Sequence, residues 1–401
     1  MSAELSADRY SSRAWLEQEL EHVFFRAWLL AVHVSELATA GAFSVFEIAG
    51  ESILITRAAD GGLRAFYNVC QHRGTRLCTI ERGRAEAMTC PYHHWSYGLD
   101  GRLLRAPGAG AAARGADLRP LACAERFGFV WISMAEQPVD IDDYLAPVAP
   151  ELARYRPHEY RLATENVVEV AANWKASVDV NNESYHLATL HPMLLEVAEI
   201  HAAHYQPRGD HSVFSLPLGQ PASDFDPDAP LTDPLRGLLE MLEVDGSGIA
   251  RIGDLRPAVA RSYRARADAL GVDLSQLSDQ QLWTKQQLHI LPNVQLNFLP
   301  FTLQIYRHRP DPLDPGRCWF DELSFSRPGN GPAPEPQRYR FRHGERTLGP
   351  VMDADVDLLP HLQAGMRSRG FSTLRLTAQE ASIADMHAAL DRWIARAQEG
   401  S

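Results

Sequence analysis

The stretch Cys70–Trp95, CQHRGTRLCTIERGRAEAMTCPYHHW, sets two cysteines beside two histidines, as Cys70-Gln-His72 and Cys90-Pro-Tyr-His93. Seventeen residues separate His72 from Cys90. Thiolate and imidazole are ligands that both zinc and iron accept. A closed Cys2His2 zinc site generally runs Cys-Cys and then His-His. Here each loop supplies one of each, so each can reach both metals of a two-metal centre. The order therefore favours a [2Fe–2S] cluster with Cys70 and Cys90 on one iron and His72 and His93 on the other. Neutral imidazoles in place of two thiolates remove negative charge and raise the reduction potential. Cys78 and Cys123 have no matched partners and read as core or surface thiols. His94 adjoins His93 but misses the spacing and reads as a neighbour.

The composition narrows what such a cluster can serve. At roughly 150 residues per domain, a chain of 401 residues holds two or three domains. It is 45% hydrophobic and 22% charged, which suits a packed core rather than disorder. A net charge of −12 argues against non-specific binding to nucleic acid or anionic membranes. No apolar run is long enough to span a bilayer. The opening MSAELSADRYSSRAW lacks the basic-then-apolar order of a signal peptide. The expectation is a soluble, cytoplasmic protein. Five cysteines without a secretion signal make a poor disulfide framework.

Around the cluster the pattern is β-rich. Residues 13–29 place Trp15, Leu16, Leu20, Val23, Phe24 and Trp28 at helical spacing. Strand-like runs follow at 43–48, 52–57, 64–69 and 127–133, broken by Gly50 and by Asp60-Gly61-Gly62. The Cys/His loops fall among them. A Pro- and Asp-rich junction covers 136–151. Beyond it, 172–190 is helix-like and Pro192 soon ends it. Strands return at 286–309 and 318–326, and 327–337 reads as a surface loop. A capping box, Thr377-Ala-Gln-Glu380, opens a last helix whose buried stripe is Ile383, Met386, Leu390 and Ile394. The glycines of 108–115 follow no clear strand and carry no nucleotide-binding weight.

NVCQHRGTRLC and CPYHHWSYGLDGRL resemble the N-terminal domain of Rieske non-heme iron oxygenases, in their alpha (terminal oxygenase) subunits, the aromatic-ring-hydroxylating dioxygenase superfamily. That family usually has a small residue where this chain has His94. A Rieske domain alone could also belong to an electron-carrier ferredoxin or a cytochrome complex. Those carriers lack a second metal site, and NESYHLATLH offers one in His186 and His191. Activating O2 calls for Fe(II) with open positions, which two His and one carboxylate provide. On a regular helix the two would point roughly 140° apart, at about 100° per residue. They share an iron only if the helix bends or ends between them. NWK…E-x-YH…HP resembles the catalytic signature of the same family, and the likeness then covers essentially the whole chain.

The resemblance implies the rest. A third iron ligand is expected in the acidic segment before Gln363-Ala-Gly365, at Asp355, with Asp353 as runner-up; Asp357 is nearby, and all three also suit a helix N-terminus. Glu183, three residues before His186 on the same helical face, is expected to bridge the two metal sites. In the family's head-to-tail trimer it links a ligand histidine of its own chain to one from the neighbouring subunit. Glu rather than Asp here resembles the alpha-only members that act on methylamine-type substrates. The implied fold is α+β: an N-terminal helical segment (1–39) packing on the catalytic domain, a Rieske domain (40–150) and a helix-grip catalytic domain (151–401) with an antiparallel sheet and a C-terminal helix. Electrons would come from a ferredoxin or flavin reductase, with NAD(P)H acting only through that partner, and O2 as co-substrate. The run LNFLPFTLQIY (296–306) suggests an apolar cavity and equally suits an ordinary core strand. Hydroxylation of an aromatic or largely apolar molecule, as in aromatic hydrocarbon catabolism, is the first expectation. Oxidative N- or O-demethylation of a quaternary ammonium or methoxy compound is the alternative.

Overall fold

The protein, seen in a computed structural model, is described over residues 3–222 and 225–399. It opens with β1 (Ala3–Ser6), α1 (Asp8–Ser11) and α2 (Arg13–Glu19). The helix expected to Leu29 stops at Phe24, after a π-type stretch over Leu20–Phe24. Tertiary pairing overrides local propensity there: the next residues, LLAVH, are all buried as β2 (Leu29–His33) against another strand. Leu16, Leu20, Val23, Phe24 and Trp28 are buried as their spacing requires, and Trp15 is half-buried.

Contacts divide the chain into two units, Gln18–Leu145 and the remainder. The boundaries expected at 39/40 and 150/151 thus lie at 17/18 and 145/146. Only the first seventeen residues of the N-terminal segment join the catalytic unit, because β2 is a strand of the other unit's sheet. That smaller unit holds β3 (Ala42–Ile48), β4 (Glu51–Arg57), β5 (Leu63–Tyr67), β6 (Arg82–Arg84), β7 (Ala87–Thr89), β8 (Ser96–Gly98), β9 (Leu103–Arg105), β10 (Pro120–Arg126), β11 (Phe129–Ser133) and α3 (Ile141–Leu145). A seven-stranded sheet runs β2-β11-β10-β5-β4-β3-β6, and a three-stranded sheet β7-β8-β9 stands apart from it. The first Cys/His loop follows β5, and the second joins β7 to β8.

The larger unit continues with α4 (Ala149–Tyr155), β12 (Arg161–Val170), α5 (Trp174–Val180), α6 (Leu187–Leu190), β13 (His204–Arg208), β14 (His211–Pro217), α7 (Asp233–Met241), α8 (Ile252–Leu270) and α9 (Asp279–Leu282). Then come β15 (Thr284–Ile290), β16 (Val294–Phe298), β17 (Thr302–Pro310), β18 (Cys318–Ser326), β19 (Gln337–Arg342), α10 (Pro350–Met366), β20 (Thr373–Leu376) and α11 (Ala381–Glu399). An eight-stranded sheet runs β13-β14-β15-β16-β17-β18-β12-β19, antiparallel except for β12 beside β19. The capping box is present, but Thr377 and Glu380 close a 3-10 turn just ahead of α11. Ile383, Met386 and Leu390 are buried and Ile394 is half-buried.

The two faces of this sheet differ in chemistry, because side chains alternate along each strand. Leu288, Leu296, Phe298, Leu303, Ile305 and Leu323 share one face, where the Tyr155 ring stacks on Phe298 at 4.7 Å. Gln287, Gln295, Asn297, Gln304, Tyr306 and Glu322 share the other. α5 lies on this polar face. Gln295 donates to the Val178 carbonyl at 3.2 Å, Gln287 to the Asn181 carbonyl at 2.7 Å, and His308 Nδ1 lies 2.8 Å from Ser177 Oγ. Leu296, Phe298, Leu303 and Ile305 thus face away from α5, as members of an ordinary core strand do.

Candidate metal centres

The two loops of the smaller unit are built alike. Cys70 accepts from Gly74 N at 3.0 Å, and Cys90 accepts from His94 N at 3.1 Å, through their backbone carbonyls. Each turn ends on a residue with positive φ, Gly74 at 75° and His94 at 60°. That shared left-handed position explains why a small residue is the usual occupant, since L side chains strain there. His94 is exposed and stands outside the histidine pair. His72 Nδ1 and His93 Nδ1 face each other at 3.1 Å. The His72 ring stacks on buried Trp95, and the His93 ring lies against Tyr92.

Two imidazole nitrogens at this distance can share one proton or one metal. Ligands at roughly 2.1 Å from one metal in a tetrahedral site lie about 3.4 Å apart, close to the spacing seen. Cys70 and Cys90 are 2% and 1% exposed, so their thiols are sheltered from solvent as cluster ligands require. Tyr97, a residue the motif does not include, is fully buried and its hydroxyl lies 3.4 Å from Cys70 Sγ. Gln71 N also donates to that hydroxyl. Burial drives the Tyr97 pKa well up, and its hydrogen bond to Cys70 adds to the shift. A phenol kept protonated beside a ligand sulfur is a lever on reduction potential. His72, His93, Cys70 and Cys90 fit a [2Fe–2S] cluster.

The second centre is positioned by α5, α6 and α10. Asn173 caps α5, accepting from Lys175 N at 3.0 Å. Its own backbone N–H donates to Gln363 of α10 at 2.7 Å, which ties the two helices together. α5 ends at Asn181, and 181–186 is not helical. The 172–190 helix is therefore two short pieces. α6 is a single turn with His186 at one end and His191 at the other. His191 has left helical geometry at φ −124°, ψ 56°, and Pro192 follows. The rings come within 5.3 Å because the helix stops, which a continuous helix would forbid.

Asp355 lies within α10 rather than ahead of it, on the buried side with Leu359 and Gln363 at four-residue spacing. Its Oδ1 is 2.6 Å from His191 Nε2 and 3.6 Å from His186 Nε2. Donor atoms of His186, His191 and Asp355 all lie within 4.8 Å of one another. Two imidazoles and one carboxylate on one side of a point fit a divalent iron with open positions. Asp353 instead accepts from Leu348 N at 2.7 Å and from Thr347 Oγ1, which ties down the turn ahead of α10. Asp357 pairs with His343 at 2.6 Å. Glu183 is not on a helix; its carboxylate caps the broken segment, accepting from the Tyr185 and His186 backbone N–H groups. It also lies 2.6 Å from His186 Nδ1, so the expected contact is made from a loop.

Burial alone would lower the His186 pKa, but the Glu183 carboxylate outweighs it and Asp355 adds to the rise. Burial pushes the Asp355 carboxyl up against the pull of His191, His186 and Lys285. A bound divalent cation would reverse the burial effect on Asp355. A groove of about 900 Å3 opens beside Glu183 and His186, with Leu358, Leu362 and Ile383 among its walls.

Residues 152–396 match the family model for the ring hydroxylating alpha subunit (catalytic domain), and residues 27–122 match the Rieske [2Fe-2S] domain. The chain belongs to the ring-hydroxylating alpha subunit family. Its fold is that of Rieske oxygenases, with a Rieske [2Fe–2S] domain and the catalytic domain that binds mononuclear iron in that family. The glycine betaine monooxygenase oxygenase subunit of Pseudomonas aeruginosa is 37% identical over 190 residues, 47% of this chain and 44% of that one. The carnitine monooxygenase oxygenase subunit of Escherichia coli is 38% identical over 189 residues, 46% of this chain and 50% of that one. These matches span about half the length of the curated relatives. A solved quaternary ammonium Rieske monooxygenase superposes with a TM-score of 0.72 over 97% of this chain and 94% of its own, at 22% identity. Among the described residues, no helix is long and apolar enough to cross a membrane.

Proposed function

We propose that this Rieske oxygenase subunit carries out oxidative N-demethylation of a quaternary ammonium compound. The observation that carries the substrate class is the polar face of the large sheet beside the iron donors. Asn166, Gln287, Asn297, Tyr306 and Glu322 are buried on it, which suits a small charged molecule rather than an aromatic hydrocarbon. The relatives named for glycine betaine and carnitine support the same class. Both compounds bear a trimethylammonium group.

When bound, the [2Fe–2S] cluster supplies single electrons, and the iron supplies the place where O2 is reduced. One oxygen atom would go to a methyl carbon and the other leave as water, with two electrons from a partner reductase or ferredoxin and two protons from solvent. The N-hydroxymethyl product then loses formaldehyde and a proton, leaving the tertiary amine. His186, His191 and Asp355 would hold the iron. Cys70, His72, Cys90 and His93 would hold the cluster. Glu183 orients His186: by accepting from Nδ1 it directs Nε2 at the metal position. The same carboxylate borders the groove, where a neighbouring subunit's ligand histidine could reach it in a homotrimer.

The test is a substrate panel with a reconstituted reductase, scored by formaldehyde and amine product, since uncoupled turnover consumes O2 without product. Glycine betaine, carnitine and choline should include a substrate. Hydroxylation of naphthalene or benzoate, with no product from any ammonium compound, would reject this reading.

A further inference from the structure

The N-terminal residues form a strap across the catalytic unit. β1 pairs antiparallel with β20, from Ala3 beside Leu376 to Ser6 beside Thr373, and Ala7 N donates to the Ser372 carbonyl at 2.9 Å. The strap then turns inward at Tyr10, which is fully buried. A buried tyrosine needs a partner for its hydroxyl. This one donates to Asp179 Oδ2 at 2.6 Å and lies 2.8 Å from His387 Nε2. Arg9 stands on the far side of that imidazole, with a guanidinium nitrogen 3.4 Å from His387 Nδ1, and it also pairs with Asp391. A guanidinium only donates, so Nδ1 accepts and the ring proton sits on Nε2. Nε2 then donates to the tyrosine oxygen, which leaves the tyrosine proton one destination, the Asp179 carboxylate. His387 is fully buried and Asp179 is 9% exposed. Among the described residues, Asp179 Oδ1 has no hydrogen bond. His387 Nε2 is 3.9 Å from Asp179 Oδ2, too far to replace the hydroxyl without movement.

Tyr10 also holds the other end of α5. Its backbone carbonyl accepts from Gln363 Nε2 at 3.0 Å, and Gln363 Oε1 accepts from Asn173 N at 2.7 Å. Asn173 caps the start of α5, and Asp179 is in its last turn. Gln363 lies on the buried side of α10 with Asp355. One residue thus pins both ends of the helix that leads to His186 and ties it to the helix that carries Asp355. Asp179 lines the same groove as Glu183 and His186.

We propose that Tyr10 is a positioning residue for the mononuclear iron: its hydroxyl and its carbonyl together set the spacing between the histidine pair and Asp355. Ligands that come from separate elements must be held within about 0.5 Å of the working geometry, by groups that are themselves locked. The single-direction chain from Arg9 through His387 to Tyr10 is such a lock. Without the hydroxyl, Asp179 is left with two unsatisfied buried oxygens. It relieves them by closing on His387, and the end of α5 moves with it. The inference rests on the iron reading of His186, His191 and Asp355, and on no choice of substrate.

The test is anaerobic Fe(II) titration of holoprotein from which mild chelation has removed the mononuclear iron and left the [2Fe–2S] cluster. Tyr10→Phe keeps the ring and the backbone carbonyl and loses only the hydroxyl. Partners of a ligand change metal affinity by about 10–100-fold, and Tyr10 acts one step further out, so its loss should weaken Fe(II) binding about three- to tenfold. Electron paramagnetic resonance of the nitric oxide complex, with the cluster oxidised, should show altered symmetry at the iron. The cluster's visible spectrum and reduction potential should stay parental. Asp179→Asn keeps an acceptor for Tyr10 and should bind iron within about twofold of the parent. Combined with Tyr10→Phe it should recover most of the loss, since a neutral amide gains less by moving to His387; such coupling marks direct contact. A role confined to stability would lower the thermal midpoint of Tyr10→Phe but leave iron affinity and the nitric oxide spectrum parental, and that result would overturn the proposal. So would a double variant no better than Tyr10→Phe alone. Should Tyr10→Phe not fold, Gln363→Met breaks the carbonyl link instead; it should weaken iron binding with the same spectral change, and parental binding there would overturn the proposal. Parent protein that binds no Fe(II) after chelation would remove the iron reading and this inference with it, a result distinct from parental affinity in the variants.

Discussion

At the residue scale, side chains a few positions apart take unrelated tasks. Asp353 and Asp355 are two residues apart, and one holds the turn ahead of α10 while the other meets His191. Asp355→Ala should abolish product formation and empty the mononuclear site, with the visible spectrum of the [2Fe–2S] cluster unchanged. Asp353→Ala should keep both metal centres and cost about 1 kcal/mol of stability, the usual net value of a lost hydrogen bond. Iron analysis alongside visible absorption separates the two; the reverse pattern would shift the ligand by two residues. His94 offers a second case. Its φ of 60° occupies the place where the first loop has Gly74. His94→Gly should leave cluster content unaltered and change stability favourably by up to about 1 kcal/mol, by relieving left-handed strain. Loss of the cluster spectrum in that variant would make His94 a participant in ligation.

At the element scale, β18 shows how one strand serves core and site at once. Asp321 and Glu322 are adjacent, so they point to opposite faces of the sheet. Asp321 is fully buried between two arginines, which hold its carboxyl below the usual range against the effect of burial. Asp321→Asn leaves two arginines without their counterion and should cost about 3–5 kcal/mol. In a unit of this size that lowers the thermal midpoint by roughly 5–15 °C. Glu322→Gln removes an unpaired buried charge and should leave the midpoint unchanged or raise it. Calorimetry on the two variants checks the contrast, and a large drop for Glu322→Gln would mean the carboxylate has a structural partner. α6 makes the same point about length. Its single turn exists to end, bringing His186 and His191 together.

At the scale of the whole molecule, the two centres sit in separate units, and an electron must pass from cluster to iron. Glu183 contacts His186 and borders a groove, and under the proposed function it would also meet a ligand histidine of a neighbouring subunit. Glu183→Gln should retain both metals and normal reduction of the cluster by its partner. Single-turnover transfer to the iron in pre-reduced protein should slow by orders of magnitude. Sedimentation should show a homotrimer in parent and variant alike. A fully active monomer, or a variant that matches the parent rate, would rule out the cross-subunit route.

Much of this was legible in the sequence because it is local. The Cys-x-His and Cys-x-x-His loops point to the cluster by their spacing, and the runs at 43–48, 52–57, 286–309 and 318–326 declare strands by their composition and turn punctuation. Pro192 and the capping box mark helix ends, since those signals act within a turn. What only the tertiary structure decided depends on which face meets which. The LLAVH run became a strand because a sheet edge was waiting for it. LNFLPFTLQIY, which reads as apolar, turns its glutamine, asparagine and tyrosine to the site and its leucines and phenylalanine away. The resemblance already preferred Asp355 to Asp353, and the packing of α10 on α5 brings its carboxylate to His191. These outcomes were decided by distant parts of the chain, because the polarity of a side chain is local but the face it meets is set by tertiary packing.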